Sequence, residues 1–193
     1  MVLAKGGRRD RKIDSLHGKD ELGRGQEGVV LDVDLMLRGR VRSMVQKKFP
    51  LVHDAQLDPE ARRDFPVAEN QVPAYRNPRQ QHRIAERLME ANRRNQLGLR
   101  LPTTIRLVET PGENPSLLLT KVNIEKAGLT AAESREFEAD IVRQTGAADS
   151  AGFSLSHDCF KPVRNRDTGG MQAFILDFGL IQEKKGAANS PPQ

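Results

Sequence analysis

Two stretches near the end of the chain decide its interpretation, Ser156-His-Asp-Cys-Phe-Lys-Pro-Val-Arg-Asn165 and Phe174-Ile-Leu-Asp-Phe-Gly179. Each contains one aspartate, and these residues, Asp158 and Asp177, are 19 positions apart. The apolar residues before Asp177 predict a short strand over Ala173–Leu176 that leads into the carboxylate. The interpretation of both aspartates depends on the motifs that precede them.

A glycine-rich stretch lies early in the chain, Gly23-Arg-Gly-Gln-Glu-Gly-Val-Val30. Glycines allow a backbone turn to pass close to an anion, so that its N–H groups face phosphate oxygens. A dinucleotide-binding helix would have to open at Gly28, but two valines follow and favour a strand. The stretch predicts a phosphate-binding hairpin made by Gly23, Gly25 and Gly28, and a glycine-rich hairpin of no function is the alternative.

A strand with two lysines, Met44–Phe49, and a helix from about Arg79 to Leu97 come next. The chain resembles the protein-kinase-like superfamily over about 22–180. The resemblance rests on five motifs that occur in the family's order: a glycine hairpin, a strand lysine, a helical carboxylate, an aspartate loop and Asp-Phe-Gly. The resemblance implies an α+β, bilobal protein-kinase-like fold. It has an antiparallel-sheet N-lobe over 16–122 and a reduced C-lobe over 123–182. We expect 1–15 and 183–193 to be disordered.

Local patterns predict the individual elements. Pro78 suits the first turn of the helix and Gly98 its end, and the apolar residues of the helix share one face. The spacing of Thr130 and Glu133 predicts a second helix that opens with a capping box, and Gly146 is expected to close it. The predicted strands and turns are 29–35, a turn at 38–40, 41–49, 103–109, a turn at 111–115, 116–122 and 173–176, with 50–78 irregular.

The resemblance assigns roles in binding ATP. A strand lysine contacts the phosphates, and the residue two positions earlier, on the same face, is small and apolar above the adenine. Val45 meets this condition for Lys47, whereas Gln46 does not for Lys48. A helical glutamate orients the lysine, and we favour Glu86 over Glu90, with a surface ion pair as the alternative for either. The other residues expected around the nucleotide are Gly23, Gly25, Gly28, Val30, Leu119 as gatekeeper, and Thr120 and Val122 in the hinge.

The aspartate stretches receive the catalytic and metal roles by the same resemblance. Asp158 would position the acceptor hydroxyl, and Lys161 would offset charge near the γ-phosphate. Asn165 and Asp177 would bind Mg²⁺. Three departures from the family pattern stand out. Lys161 comes one residue late after the aspartate, Asn165 comes two late, and His157 occupies the place of the family's arginine.

Little chain follows the Asp-Phe-Gly motif, so the resemblance implies either a fragment of a kinase or a minimal kinase, and we favour the minimal kinase. Small bacterial type III effectors that phosphorylate the host ninety-kilodalton heat-shock chaperone are similar in length and motif spacing. The expected function is an ATP-dependent, Ser/Thr-directed protein kinase, present in the bacterial cytoplasm before export and then in the host cytoplasm. A nucleotide-binding pseudokinase and a small-molecule phosphotransferase are the alternatives.

The composition of the chain limits the kinds of partner that we expect it to bind. The chain has 193 residues and a net charge of +5, but only one Tyr and no Trp. Single-strand binders interleave basic residues with stacking aromatics, so we do not expect nucleic acid as a partner. The single cysteine excludes an intramolecular disulfide framework. No apolar run reaches membrane-spanning length, so we expect no membrane partner. We also expect a monomer.

Overall fold

The computed structural model describes residues 2–5, 11–25, 28–49, 77–110 and 113–184. It confirms a mixed α+β protein, with an antiparallel sheet and two α-helices in these ranges. The chain forms two compact units. The first contains Met1–His82 and Thr104–Thr120, and the second contains Arg83–Thr103 and Lys121–Gln193. This division differs from the predicted lobe boundaries, because most of the first helix belongs to the second unit.

The first unit is built on one antiparallel sheet. Its strands are β1 (Val2–Lys5), β2 (Arg11–Ile13), β3 (Ser15–Gly25), β4 (Gly28–Leu37), β5 (Arg40–Lys48), β6 (Ile105–Glu109) and β7 (Ser116–Thr120). They lie in the order β2-β1-β6-β7-β5-β4-β3. Five of them, β3 to β7, form the body of the sheet, and β1 and β2 extend it at one edge. The predicted strands at 29–35, 41–49, 103–109 and 116–122 are all present with shifted ends.

The β4–β5 hairpin turns at Arg38 and Gly39, which both have positive φ, at 51° and 71°. Two such residues in a row form the tight turn that matches the twist of paired strands. This confirms the turn predicted there. The hairpin fixes the register of β4 against β5, so that Val30 lies opposite Lys47.

One face of the sheet carries its own apolar cluster. Its buried members are Ile13, Val33, Leu35, Met44, Val108 and Leu118. Val33 and Leu35 are two apart on β4, and Met44 on β5 lies directly opposite Val33. Because side chains alternate along a strand, the neighbouring residues of β4, β5 and β7 project from the opposite face.

The N-terminal segment differs from the prediction of disorder over 1–15. β1 pairs with β6 through Leu3 and Glu109, and β2 pairs with β1. Ile13, at the end of β2, belongs to the apolar cluster of the sheet. The basic composition of the segment indicated disorder. Its two strands are too short to show the alternating pattern that would have indicated them.

The first helix, α1 (Pro78–Asn95), begins at the predicted proline. The Asn77 side chain accepts a hydrogen bond from the Gln80 N–H at 3.1 Å, which caps the helix. The helix ends two residues before the predicted limit, and Gly98 follows with φ 67°. The buried residues of its apolar face include Ile84, Ala85 and Leu88, as predicted.

The second unit contains the helix α2 (Ala131–Ser150) and two antiparallel strand pairs. The strands are β8 (Phe153–Leu155), β9 (Phe160–Arg164), β10 (Met171–Ile175) and β11 (Ile181–Glu183). β9 pairs with β10, and β8 pairs with β11. Turns of 3-10 helix lie at His157–Cys159 and Phe178–Leu180.

The capping box of α2 is confirmed, with Thr130 and Glu133 exchanging hydrogen bonds. The prediction that Gly146 ends this helix is wrong. The helix continues to Ser150, and Gly152, with φ 86°, follows its end. A glycine in a helix interior is unfavourable but tolerated, so Gly146 is not a reliable end signal.

Side chains of α2 cover the outer edge of β10. Glu136 accepts from the Met171 N–H at 2.8 Å, and Asp140 accepts from the Ala173 N–H at 2.9 Å. The Gln144 amide donates to the Ala173 carbonyl at 2.7 Å. Four residues of helix rise about 6 Å, and two residues of strand rise about 6.6 Å. The helix side chains, spaced at every fourth position, therefore match the backbone groups of the strand.

The predicted C-terminal tail begins too early. Glu183 ends β11 and pairs with Arg87, and Lys184 pairs with Asp149. The rest of that tail, most of the irregular 50–78 region, and Pro111 and Gly112 of the predicted turn lie outside the described residues. No helix in the described ranges is long and apolar enough to cross a membrane.

Candidate functional site

In the first unit, four of the predicted nucleotide residues share one face of the sheet, namely Val30, Val45, Lys47 and Leu119. Lys47 lies opposite Val30 of β4 and Leu117 of β7. Val45 lies opposite Leu119. Residues directly opposite each other in an antiparallel pair project from the same side, so this face carries an apolar strip next to the lysine amine.

The neighbouring lysine belongs to the other face. Gln46 is 5% exposed, and its amide donates to the Ser116 hydroxyl at 2.8 Å. Lys48 is exposed, and its amine lies 4.0 Å from the Glu113 carboxylate. The alternation argument for choosing Lys47 over Lys48 therefore agrees with the register of β5.

Lys47 is half-buried, and its amine lies 5.5 Å from the centre of the Phe49 ring. The same face carries a buried carboxylate that the sequence analysis missed. Asp32, opposite Val45, is 8% exposed and accepts from the Ser43 hydroxyl at 3.3 Å. An aspartate inside an apolar strand was the available signal for it.

The glycines of the hairpin have different surroundings. Gly28 has φ 140°, and a Cβ placed on it would lie 2.0 Å from the Lys48 carbonyl oxygen. Gly23, opposite Val30, has nothing within 4 Å of such a Cβ. Gly25 pairs with Gly28 at the end of β3. Gly28 therefore serves strand packing, whereas the space around Gly23 is open to a ligand.

The predicted hinge lies where the chain leaves the sheet. Thr120, the last residue of β7, donates from its N–H to the Thr104 carbonyl at 3.0 Å. Its hydroxyl accepts from the Thr104 N–H, also at 3.0 Å. Val122 is half-buried and belongs to the second unit. Both backbone groups of Thr104 thus fix the start of the predicted hinge.

In the second unit, the two aspartates come together at one end of the β9–β10 hairpin. Asp158 lies in the 3-10 turn before β9, and Asp177 follows β10. The Cys159 carbonyl accepts from the N–H groups of Leu176 and Asp177, at 2.9 and 3.2 Å. These main-chain bonds hold the turn that carries Asp158 against the residues that carry Asp177.

The thiol of Cys159, between the two aspartate turns, is buried. Burial, with contributions from the carboxylates of Asp177 and Asp158, raises the pKa of this thiol to about 12. The side chain is therefore a protonated, inert thiol at neutral pH and not a nucleophile. Both neighbouring aspartates lie near enough to this thiol for their charges to contribute to the raised pKa.

Lys161 lies close to this pair. Its exposed amine donates to the Asp158 carbonyl at 3.3 Å, and its strand position is opposite Phe174. The structure therefore places Lys161 beside the turn of Asp158 and places the main chain of Asp177 against the same turn, while the catalytic and metal roles of the three residues stay predictions. Lys161 comes one residue later after the aspartate than in the family pattern. Its amine still contacts the turn of Asp158, because the side chain extends from β9 back towards that turn.

Asn165 does not join them, and its predicted role as a magnesium ligand beside Asp177 is corrected here. It follows β9 at the far end of the hairpin, where its N–H donates to the Gly170 carbonyl. Its side-chain oxygen accepts from the N–H groups of Asp167 and Thr168. The length of β9 separates it from Asp177 by about 16 Å. Asn165 shapes the hairpin loop.

The helical glutamates also differ from each other. Glu90 pairs with Arg93 on the surface of α1, which is the alternative considered for it. Glu86 is exposed and belongs to the second unit. The preference for Glu86 as the partner of the phosphate lysine stays a prediction.

His157 makes contacts that no sequence pattern indicated. Its Nε2 lies 3.0 and 3.2 Å from the two carboxylate oxygens of Glu138 on α2. Its ring meets the Phe137 ring edge to face, with centres 6.4 Å apart. The residues are 19 positions apart, so only the folded chain relates them.

The residues suit a magnesium ion only in a limited way. Among the described residues, no group of three or more His, Cys, Asp or Glu side chains is placed to hold a metal. Mg²⁺ is usually bound by one or two carboxylates, with water and phosphate oxygens as its other ligands. Two neighbouring aspartates are compatible with that mode of binding. The described residues do not offer a site in which protein side chains supply all the ligands.

Comparison with models of known protein families gives no match. Comparison with curated proteins gives no match either.

Proposed function

We propose that the protein is an ATP-dependent protein kinase with a bilobal protein-kinase-like fold and a reduced C-lobe. The observation that carries the proposal is the meeting of Asp158 and Asp177 through the Cys159 carbonyl. Phosphoryl transfer to a hydroxyl needs one carboxylate for the acceptor and one for the metal, and in this proposal Asp158 and Asp177 take these two roles.

The first unit supports the nucleotide part of the proposal. Val30, Val45 and Leu119 offer apolar contacts for a base, and Lys47 stands on the same face for the α- and β-phosphates. The open space at Gly23 suits close approach of phosphates. Glu86 is assigned to orient Lys47.

In the proposed reaction, Asp158 orients the acceptor hydroxyl and takes its proton late in the transfer. The new bond joins the hydroxyl oxygen to the γ-phosphorus, and the bond to the β-phosphate oxygen breaks, so that ADP leaves. Asp177 would hold Mg²⁺, which when bound neutralises phosphate charge. Lys161, beside Asp158, offsets negative charge near the transferred group.

The displaced Asn165 favours one other function, a nucleotide-binding pseudokinase. With Asn165 committed to its own loop, Asp177 lacks the second ligand that the family pattern supplies. Asp158 or water would have to take that place. A pseudokinase would be stabilised by ATP without transferring phosphate.

Substrate and location extend the proposal. We propose a Ser/Thr-directed effector kinase that is exported from bacteria and acts on a host protein, with the ninety-kilodalton heat-shock chaperone as the first substrate to test. The motif spacing supports this choice.

The test is transfer of radiolabel from γ-labelled ATP, with the protein itself and the chaperone as acceptors. We expect labelling by the wild type and its loss in Asp177→Ala. Lys47→Met should also lose it, whereas Lys48→Met, the neighbouring lysine on the opposite face, should retain at least half. Equal loss in both lysine variants would contradict the assignment of Lys47. ATP-dependent stabilisation without labelling would establish the pseudokinase instead.

A further inference from the structure

The turn that carries Asp158 is held by main-chain hydrogen bonds on both of its sides and by one additional side-chain contact. On the C-terminal side, the main chain fixes it, because the Cys159 carbonyl accepts two N–H groups and the Phe160 N–H bonds to the His157 carbonyl. On the N-terminal side, the Cys159 N–H donates to the Ser156 carbonyl at 3.1 Å, and the His157 side chain adds a contact with α2. Its Nε2 meets both oxygens of Glu138 at 3.0 and 3.2 Å.

The Phe137 ring completes this attachment to α2. Phe137 is 8% exposed, and the His157 ring stands edge to face on it, with an interplanar angle of 86°. This packing limits rotation of the imidazole, and the carboxylate fixes which way Nε2 points. The helix that supplies both contacts is anchored to β10 by Glu136, Asp140 and Gln144.

We propose that His157 and Glu138 act as a positioning pair for Asp158, an inference that rests on the proposed function. A neutral imidazole with its proton on Nε2 donates to Glu138, and so does an imidazolium. Both side chains are more than half exposed, and exposed pairs of this kind contribute little to stability. The contact therefore serves the direction of the Asp158 carboxylate. Small misplacements of a catalytic group have large effects on rate.

The kinetic test compares three variants of the full chain. Glu138→Ala removes the acceptor and should lower kcat about five- to tenfold, with KM for ATP within twofold of wild type. Glu138→Gln keeps an oxygen that accepts from Nε2 and should restore kcat to within twofold. Arg135→Ala, at an exposed site on the same helix, is the control and should leave both constants unchanged. Unaltered kcat in Glu138→Ala, or failure of Gln to restore it, would overturn the positioning role.

A second measurement does not need activity. Backbone amide resonances of Asp158 and Cys159 should shift in Glu138→Ala and stay near their wild-type positions in Glu138→Gln and Arg135→Ala, with Tm within about 2 °C throughout. Shifts as expected with an inactive wild type would overturn phosphotransfer and leave the pair as a structural support of the turn. An active wild type with no shift at Asp158 would overturn the positioning pair alone.

Discussion

At Gly28, the first residue of β4, the carbonyl oxygen of Lys48 lies where a side chain would begin. The glycine motif was interpreted as a phosphate loop, yet this glycine is required by the strand next to it. Gly23 has open space instead. Two residues of one motif thus have separable roles, which a spacing pattern could not distinguish because it contains no information on neighbouring strands.

We expect Gly28→Ala to destabilise the protein by more than about 2 kcal/mol, because its Cβ would meet the Lys48 carbonyl and φ is positive. Gly23→Ala should leave stability within about 0.5 kcal/mol but raise the Kd for ATP at least fivefold, since the added methyl group would occupy ligand space. Urea unfolding and titration with ATP measure the two effects. Unchanged ATP affinity in Gly23→Ala would argue against a phosphate role for the hairpin.

At the scale of elements, helix α2 shows how much local patterns can predict. Its capping box followed from residue spacing alone, since both partners lie within one turn. Its end did not, because tertiary contacts carry the helix past Gly146. The contacts of Glu136, Asp140 and Gln144 with β10 were also missed, since they relate residues that are about 30 positions apart.

The capping box has a pH signature. Hydrogen bonds from the Thr130 N–H and hydroxyl, together with Arg164, hold the pKa of Glu133 at about 2, below its ordinary value of 4.5. A lowered folded-state pKa gives stability that is present above pH 4.5 and lost as pH falls towards 2. Glu133→Gln keeps the hydrogen-bonding shape without the charge. Its Tm should be below that of wild type at pH 6, and the difference should shrink by pH 2.5. A constant difference would contradict this assignment.

The ion cluster at Asp140 supports α2 more strongly. Burial would raise the pKa of Asp140, but the Ala173 N–H, Arg143 and Arg100 outweigh burial and lower it. Asp140→Ala would leave the Ala173 N–H and the half-buried Arg100 without this acceptor. We expect a loss of about 2–3 kcal/mol in the free energy of unfolding, measured by chemical denaturation. Arg143→Ala, at a more exposed member of the cluster, should cost under about 1 kcal/mol. Equal losses of unfolding free energy in the two variants would show that the Asp140 carboxylate contributes no more to stability than the exposed Arg143.

At the scale of the whole molecule, the proposed function predicts that bound ATP stabilises the folded protein. ATP with magnesium at a hundredfold excess over Kd should add about 2.7 kcal/mol and raise Tm by about 5–10 °C. Lys47→Met should lose this rise with or without magnesium. Asp177→Asn should lose only the increment that magnesium adds. Scanning fluorimetry measures each case, and loss of the whole rise in Asp177→Asn would contradict the division of roles.

The association of Asp158 with Asp177 in one site came from the family resemblance, and their shared role stays a prediction. The sequence itself predicted the α+β class and the main strands, because β-prone runs and turn residues are local signals. It misplaced Asn165, since counting positions after an aspartate cannot tell whether the intervening residues form a loop or a strand. Here β9 begins directly after the turn and carries Asn165 to the far end of the hairpin. The short strands at the N-terminus were missed because their pairing partners are distant in the chain.

The cover that α2 provides for β10 bears on self-association. An open strand edge can recruit strands from other copies of a chain and seed fibrils. Here Glu136, Asp140 and Gln144 make hydrogen bonds with the backbone groups of β10 that an added strand would need. On the other side of the hairpin, the Glu125 N–H donates to the Pro162 carbonyl. A sheet of only two strands is thereby closed to further growth at these positions, and concentrated protein has no template there for ordered aggregates.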